Sequence, residues 1–221
     1  MNYFSHFIFD HQNLNHEYNT GLLLPDITRK SIKKFHKTEN DFETSNHHKQ
    51  FLEGCLKHYQ SDKKFHSSTF FSSYYQLLNH EISHSSDLKN AERKWFISHI
   101  LLELLIDRVI VNSHQYLLDS FYNSLLKVNE ESLRLFLKSY GMKNTDEFFV
   151  FFNHFRNTQY IYHYTDNNKF MYSLNRIMLR ARVKELSQNE NNLILNIVLE
   201  FEQKHFNGSE LLLQNIRAIL Q

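Results

Sequence analysis

Residues that break helices are scarce in this chain. Its 221 residues include one proline and four glycines. Strands joined by tight hairpins need more of these residues, whereas long segments with Leu, Ile and Phe at three- and four-residue spacing are typical of helices. The sequence therefore predicts an all-α fold. Because no linker or composition shift marks a boundary, we expect one helical bundle, a single domain over residues 1–221.

Cysteine is almost absent, since Cys55 is the only one. A lone cysteine excludes a disulfide framework and a zinc site built from cysteines, so the compartment that we expect is the cytoplasm. The start of the chain lacks the basic residues and apolar stretch of a signal peptide, and no run reaches the roughly 18 apolar residues that a membrane span needs. The sequence therefore predicts a soluble protein with no membrane partner.

Charge of one sign does not dominate the chain. Its 25 lysines and arginines and 24 acidic residues give a formal net charge of +1, and the two signs are interspersed, so a nucleic-acid partner is not expected. One segment is an exception, because residues 28–37 carry five fixed positive charges. This segment is either a solvated surface or a docking site for an acidic protein.

Histidine and acidic residues share one face of the apolar segment Trp95–Val111: His99, Glu103 and Asp107. A step of four residues turns an α-helix about 40° beyond a full circle, so all three side chains project from one stripe. Burying a carboxylate without a partner costs several kcal/mol, so a cation should meet these acids. A metal ion would do so, and the alternative partners for Glu103 are Arg108 and Lys94.

The same spacing occurs earlier in the chain, at His58, Asp62 and His66. The ends of such a triplet lie roughly 12 Å apart, so each helix should donate an adjacent pair of ligands. Two helices packed face to face would then provide a four-ligand site, with the two remaining stripe residues, His66 and Asp107, in an outer shell or on a second ion. Its ligands would be His58, Asp62, His99 and Glu103. Imidazole mixed with carboxylate suits Mn²⁺, Fe or Zn²⁺ better than Ca²⁺. The alternative is a solvated His–Asp pair on a surface helix.

Four blocks of the sequence occur in the order found in one enzyme family. Asn2–His6, with His11, resembles the opening Asn-Phe-Leu-Ala-His, and Gly21–Asp26 resembles Gly-Asn-Leu-Leu-Ala-Asp. Gly54–His66 is similar to Gly-Ile-x-x-His-Arg-x-Ile-Asp-x-x-Thr-Asp, and Glu103–Arg108 is similar to Asp-x-x-x-Asp-His. These blocks resemble the acyl carrier protein phosphodiesterases, a family of HD-domain-like metal phosphohydrolases. The resemblance covers the first half of the chain.

The chain departs from that family pattern at four positions where the family has a charged or ionisable residue. Tyr59 replaces an arginine, His66 replaces the last acid of the third block, Glu103 replaces the first acid of the fourth, and Arg108 replaces a histidine. The exchanges at His66 and Glu103 preserve metal-ligand chemistry, whereas those at Tyr59 and Arg108 preserve neither charge nor proton transfer. His99 lies outside the pattern, and is either a compensating ligand or a core histidine.

The resemblance implies an HD-domain-like fold and the hydrolysis, with a divalent metal, of the phosphodiester that joins 4′-phosphopantetheine to holo acyl carrier protein, a carrier of fatty acid biosynthesis. Asp26 or His6 would order the attacking water or take its proton. Arg29 or Arg108 would neutralise charge on the phosphoryl group. The acidic carrier would dock on exposed cations: Arg29, Lys30, Lys33 and Lys34. The alternatives are a hydrolase of a small phosphorylated metabolite or nucleotide, and a helical binding module without activity.

Overall fold

The computed structural model describes residues 1–37, 45–88, 91–206 and 208–221, and every regular element within these ranges is helical. The predicted all-α fold is therefore confirmed. None of the helices in the described ranges is both long enough and apolar enough to cross a membrane.

Twelve α-helices and two short 3₁₀ segments, Ser86–Leu88 and Tyr160–Thr165, lie in the described residues. The α-helices are α1 (Tyr3–Asp10), α2 (His16–Gly21), α3 (Leu24–Thr28), α4 (Asn46–His66), α5 (Thr69–His84), α6 (Lys94–His114), α7 (Tyr116–Leu126), α8 (Glu130–Ser139), α9 (Thr145–Thr158), α10 (Asn167–Arg180), α11 (Gln188–His205) and α12 (Ser209–Leu220).

The chain folds into two compact units, each assembled from segments that are distant in sequence. Unit 1 contains Met1, residues 3–64 and residues 116–160. Unit 2 contains Asn2, residues 65–115 and residues 161–221. The single domain over residues 1–221 stays a prediction.

Helix α1 lies in the core of unit 1, with seven of its eight residues buried. Phe4 and Phe7 pack edge-on against Phe121 of α7, at 5.8 and 5.3 Å between ring centroids. Tyr3 packs in the same way against Phe155 of α9. Aromatic pairs of this geometry stabilise a core beyond the area that they bury. They fix α1, and this places His6 inside the unit.

Two glycines let helices α2 and α4 approach each other closely in unit 1. A Cβ atom on Gly21 would lie 2.4 Å from the carbonyl oxygen of Phe51, and one on Gly54 would lie 2.2 Å from that of Tyr18. Both glycines are within helices, so close backbone approach explains them rather than an unusual φ angle. The close approach brings the end of α2 against the middle of α4.

In unit 2 the apolar helix α6 is surrounded by α5, α10, α11 and α12. Every residue from Leu104 to Val111 is buried, including one aspartate and one arginine. The flanking helices begin at capped positions: the Ser68 side chain accepts from the backbone N–H of Phe71, and Ser187 and Glu190 form a capping box. Helix α6 thus has few positions that face solvent, and its polar residues need partners inside the protein.

Candidate metal centre

Four side chains converge in unit 1 and form what we call the unit-1 cluster: His6 of α1, Asp26 of α3, and His58 and Asp62 of α4. Nε2 of His58 lies 3.7 Å from Oδ1 of Asp26 and 3.8 Å from Oδ2 of Asp62. Ligand atoms of His6, Asp26 and His58 all lie within 4.8 Å of one another. One metal ion can bridge atoms at such separations after small movements of the side chains.

The backbone fixes the orientation of the His58 ring. This side chain is 2% exposed, and its Nδ1 lies 2.8 Å from the carbonyl oxygen of Leu22. Because a carbonyl oxygen only accepts hydrogen bonds, Nδ1 of His58 carries a proton and Nε2 is the nitrogen that faces the two carboxylates. Histidine ligands of metals are oriented in this way by a second hydrogen bond. The burial of His58 excludes a solvated His–Asp pair on a surface helix.

His6 is completely buried, and neither of its ring nitrogens makes a hydrogen bond. Its ring stacks on that of His58 at 3.9 Å between centroids, and its Nε2 lies 3.2 Å from Oδ1 of Asp62 without the alignment of a hydrogen bond. Burial, followed by the neighbouring His58, lowers the pKa of His6 to about 3. The imidazole is therefore neutral at pH 7, and a buried polar ring without a hydrogen bond calls for another kind of partner.

Asp62 supplies an ionised carboxylate to the cluster. Its Oδ1 lies 2.7 Å from the amino group of Met1. Burial alone would raise the pKa of Asp62, but His6 and the Met1 amino group hold it well below its usual range. The side chains of Asp26 and Asp62 are 33% and 31% exposed, so a substrate in solution can reach the cluster.

The structure places His99 and Glu103 with His66, in unit 2, rather than with the predicted partners His58 and Asp62. The last residue of α4, His66, contacts Glu103 of α6 in unit 2, whereas His58 and Asp62 contact residues of α1 and α3 in unit 1. The four predicted ligands are thus distributed over two clusters.

Asp107 and Arg108 belong to neither cluster as far as the described residues show. Oδ2 of the fully buried Asp107 accepts a hydrogen bond from the Asn2 side chain at 2.7 Å. The guanidinium of Arg108 donates to three groups: the carboxylate of Glu202, the carbonyl of Tyr164 and the side chain of Asn167. These contacts give Arg108 a structural role in unit 2, and its catalytic role stays a prediction.

The basic segment 28–37 follows Asp26 directly and is not a helix beyond Thr28. Ile32 and Phe35 are buried and anchor it, and the Phe35 N–H donates to the hydroxyl oxygen of Tyr59 at 3.1 Å. Its four predicted docking cations are exposed: Arg29, Lys30, Lys33 and Lys34. The segment therefore presents positive charge beside the helix that carries Asp26.

Sequence reasoning missed two partners of the unit-1 cluster, the carbonyl of Leu22 and the amino group of Met1. Both are backbone groups, and a pattern of residue types does not predict which backbone group a side chain contacts. The sequence did contain an indirect signal of the Leu22 contact, namely Gly21 at the end of α2 and Gly54 in α4. A glycine inside a helix often marks a place where two backbones approach closely.

Comparison with known proteins gives no match: no family model, no curated protein and no solved structure is significantly similar to this chain. The resemblance to the acyl carrier protein phosphodiesterases therefore rests on the sequence blocks alone.

Proposed function

We propose that this protein is a metal-dependent phosphodiesterase with an HD-domain-like fold, and that it releases 4′-phosphopantetheine from a holo acyl carrier protein. One observation carries the proposal. The polar residues of three separate blocks of the family resemblance, ending at His6, Asp26 and His66, contribute the four members of the unit-1 cluster. These blocks are far apart in sequence, and chance similarity gives no reason for their polar residues to meet.

The residues of the unit-1 cluster fit a divalent transition metal. The set contains two imidazoles and two carboxylates, which suits Mn²⁺, Fe or Zn²⁺. Nε2 of His58 faces both carboxylates, and His6 has no hydrogen bond at either ring nitrogen. The second feature would be unfavourable in a cluster that only stabilises the fold, because buried polar atoms without partners cost free energy.

A bound metal ion would polarise a phosphoryl oxygen and lower the pKa of coordinated water towards about 7. The chain supplies the remaining parts. Leu22 holds the ring of His58 in place through Nδ1. The carboxylate of Asp26, a third exposed, is placed to take a proton from the attacking water. Arg29 follows α3 and is exposed, so it can neutralise charge on the phosphoryl group.

We expect chelator-treated protein to release 4′-phosphopantetheine from holo acyl carrier protein only after Mn²⁺, Fe²⁺ or Zn²⁺ is added. Asp26→Asn should lower kcat about 100-fold or more, because general-base catalysis contributes at least this factor. Mass spectrometry of the carrier protein measures the reaction through the loss of the phosphopantetheine mass. Asp119→Asn, on α7 of the same unit, is the control and should react like wild type.

Hydrolysis of nucleotides or small phosphodiesters in place of the carrier protein would favour the small-substrate alternative. If neither class is hydrolysed with any of the three metals, the proposed activity is wrong and the binding-module alternative remains.

The basic segment gives a separate prediction about the partner. Replacing Lys30, Lys33 and Lys34 together with serine should slow association with an acidic carrier protein and flatten its dependence on salt, since rim charges act mainly on association rate. Stopped-flow measurements at low salt and at about 0.15 M salt test this, because screening shortens to about 8 Å at the higher concentration.

The matched control for the basic segment removes three exposed lysines elsewhere in unit 1: Lys127, Lys138 and Lys143. This variant has the same net charge as the test variant. Equal association rates for the two variants would mean that only the overall charge affects association. The basic segment would then not be part of the docking site.

A further inference from the structure

Unit 2 contains a second group of metal-ligand residues, which we call the unit-2 cluster: His66, His99 and Glu103. We propose that it is a binding site for Zn²⁺ or a similar transition metal ion, independent of the phosphodiesterase function proposed for unit 1. Both histidines depart from the family pattern, so the resemblance does not account for them.

The ligand atoms of the unit-2 cluster already converge on one point. Nε2 of His66 lies 2.8 Å from Oε1 of Glu103, and Nε2 of His99 lies 3.1 Å from the same oxygen. In a tetrahedral zinc site with bonds of about 2.0–2.1 Å, neighbouring ligand atoms are about 3.3 Å apart. The observed separations are a few tenths of an ångström smaller, so a metal ion could enter after a small outward movement of the rings.

The rings of the unit-2 cluster are held in place by aromatic packing. His66 and His99 stack on each other at 5.0 Å between centroids, with 19° between their planes. Phe71 of α5 packs edge-on against both rings, at 4.7 Å from His66 and 5.0 Å from His99. Side chains fixed in this way lose little further entropy when they bind an ion, which favours affinity.

The unit-2 cluster is also open to solvent on one side. The side chains of His66 and His99 are 29% and 35% exposed, whereas that of Glu103 is 11% exposed. Two histidines and one glutamate are the protein ligands of a well-known kind of open zinc site, in which the fourth position is taken by water or another ligand. The ion that these donors select is Zn²⁺, or a metal of similar preference such as Co²⁺.

The geometry of the unit-2 cluster allows two interpretations. In the first, the two imidazoles and the carboxylate are ligands that share one metal ion. In the competing interpretation, both imidazoles merely donate a hydrogen bond to this carboxylate and the trio is structural.

Titration of metal-free protein separates a metal site from a hydrogen-bonded trio. His58→Ala serves as the background, because His58 belongs to the unit-1 cluster and not to the unit-2 cluster. Added Co²⁺ should give one tight equivalent with the visible absorption of a four- or five-coordinate ion, and Zn²⁺ should displace it. In this background, His99→Ala or Glu103→Gln should lower the affinity for the remaining metal ion about 100-fold or more. Loss of an outer-shell partner alone already costs about 10–100-fold in metal affinity.

The control is His80→Ala, which removes a histidine of the same unit that stacks on His84. It should keep the tight equivalent. Circular dichroism shows whether each variant is folded, and His99→Ala is the more informative variant because His99 is the most exposed of the three residues. Absence of a tight equivalent in the background, or its survival in folded His99→Ala, would overturn the proposal. Both results concern only the unit-2 cluster. The phosphodiesterase activity proposed for unit 1 is tested separately by the hydrolysis assay.

Discussion

Replacing His58 with alanine is expected to lower the affinity of the unit-1 cluster for Mn²⁺ or Zn²⁺ by at least about 100-fold, because it removes a first ligand. His58 provides the Nε2 atom that lies near both carboxylates, and its Nδ1 is already bound by the carbonyl of Leu22. Equilibrium dialysis followed by elemental analysis measures the metal bound per chain.

The matched control for His58 is His11→Ala. His11 also has its Nδ1 hydrogen-bonded to a backbone carbonyl, that of Phe7 at 2.9 Å, but it belongs to neither metal-ligand cluster of the described residues. It should leave metal binding unchanged. Asp62→Asn serves as a second test, because the Asp62 side chain is 31% exposed and its replacement should not unfold the protein. Unchanged metal binding in both His58→Ala and Asp62→Asn would show that the cluster holds no ion.

Gly54→Ala is expected to lower the free energy of unfolding by about 3 kcal/mol, at the upper end of the usual cost of overpacking. The added Cβ would lie 2.2 Å from the carbonyl oxygen of Tyr18, and a backbone atom cannot move aside as a side-chain end can. Helices α2 and α4 must separate instead. Since this separation also moves the Leu22 carbonyl away from His58, metal affinity should fall about 10–100-fold, as for other losses of an outer-shell partner.

Urea unfolding measures the stability of Gly54→Ala, and dialysis measures its metal binding. Gly141→Ala is the control, since a Cβ there would meet nothing within 4 Å and only the φ of +84° makes alanine unfavourable. It should cost about 1 kcal/mol and leave metal binding unchanged. If Gly54→Ala is as stable as this control, the close approach of α2 and α4 does not constrain the site.

The sequence by itself determined that the chain is helical and which residues share a helix face. Few prolines and glycines and the three- and four-residue spacing of apolar residues are local properties, and local spacing sets the helix type. The same local geometry places His58 with Asp62, and His99 with Glu103, from their spacing alone. The order of the blocks also indicated His6 and Asp26, although as catalytic residues rather than as neighbours of His58 and Asp62 in one cluster.

Only the tertiary structure decided which of these faces meet. Spacing within a helix fixes the direction of a side chain but not the helix packed against it, and that choice depends on the fit of many distant side chains. For this reason His58 lies with His6 and Asp26, while His66, one turn beyond Asp62, lies with His99 and Glu103. The carbonyl of Leu22 could be assigned to His58 only from the structure, because a backbone oxygen has no sequence signature and its position depends on how closely α2 and α4 approach.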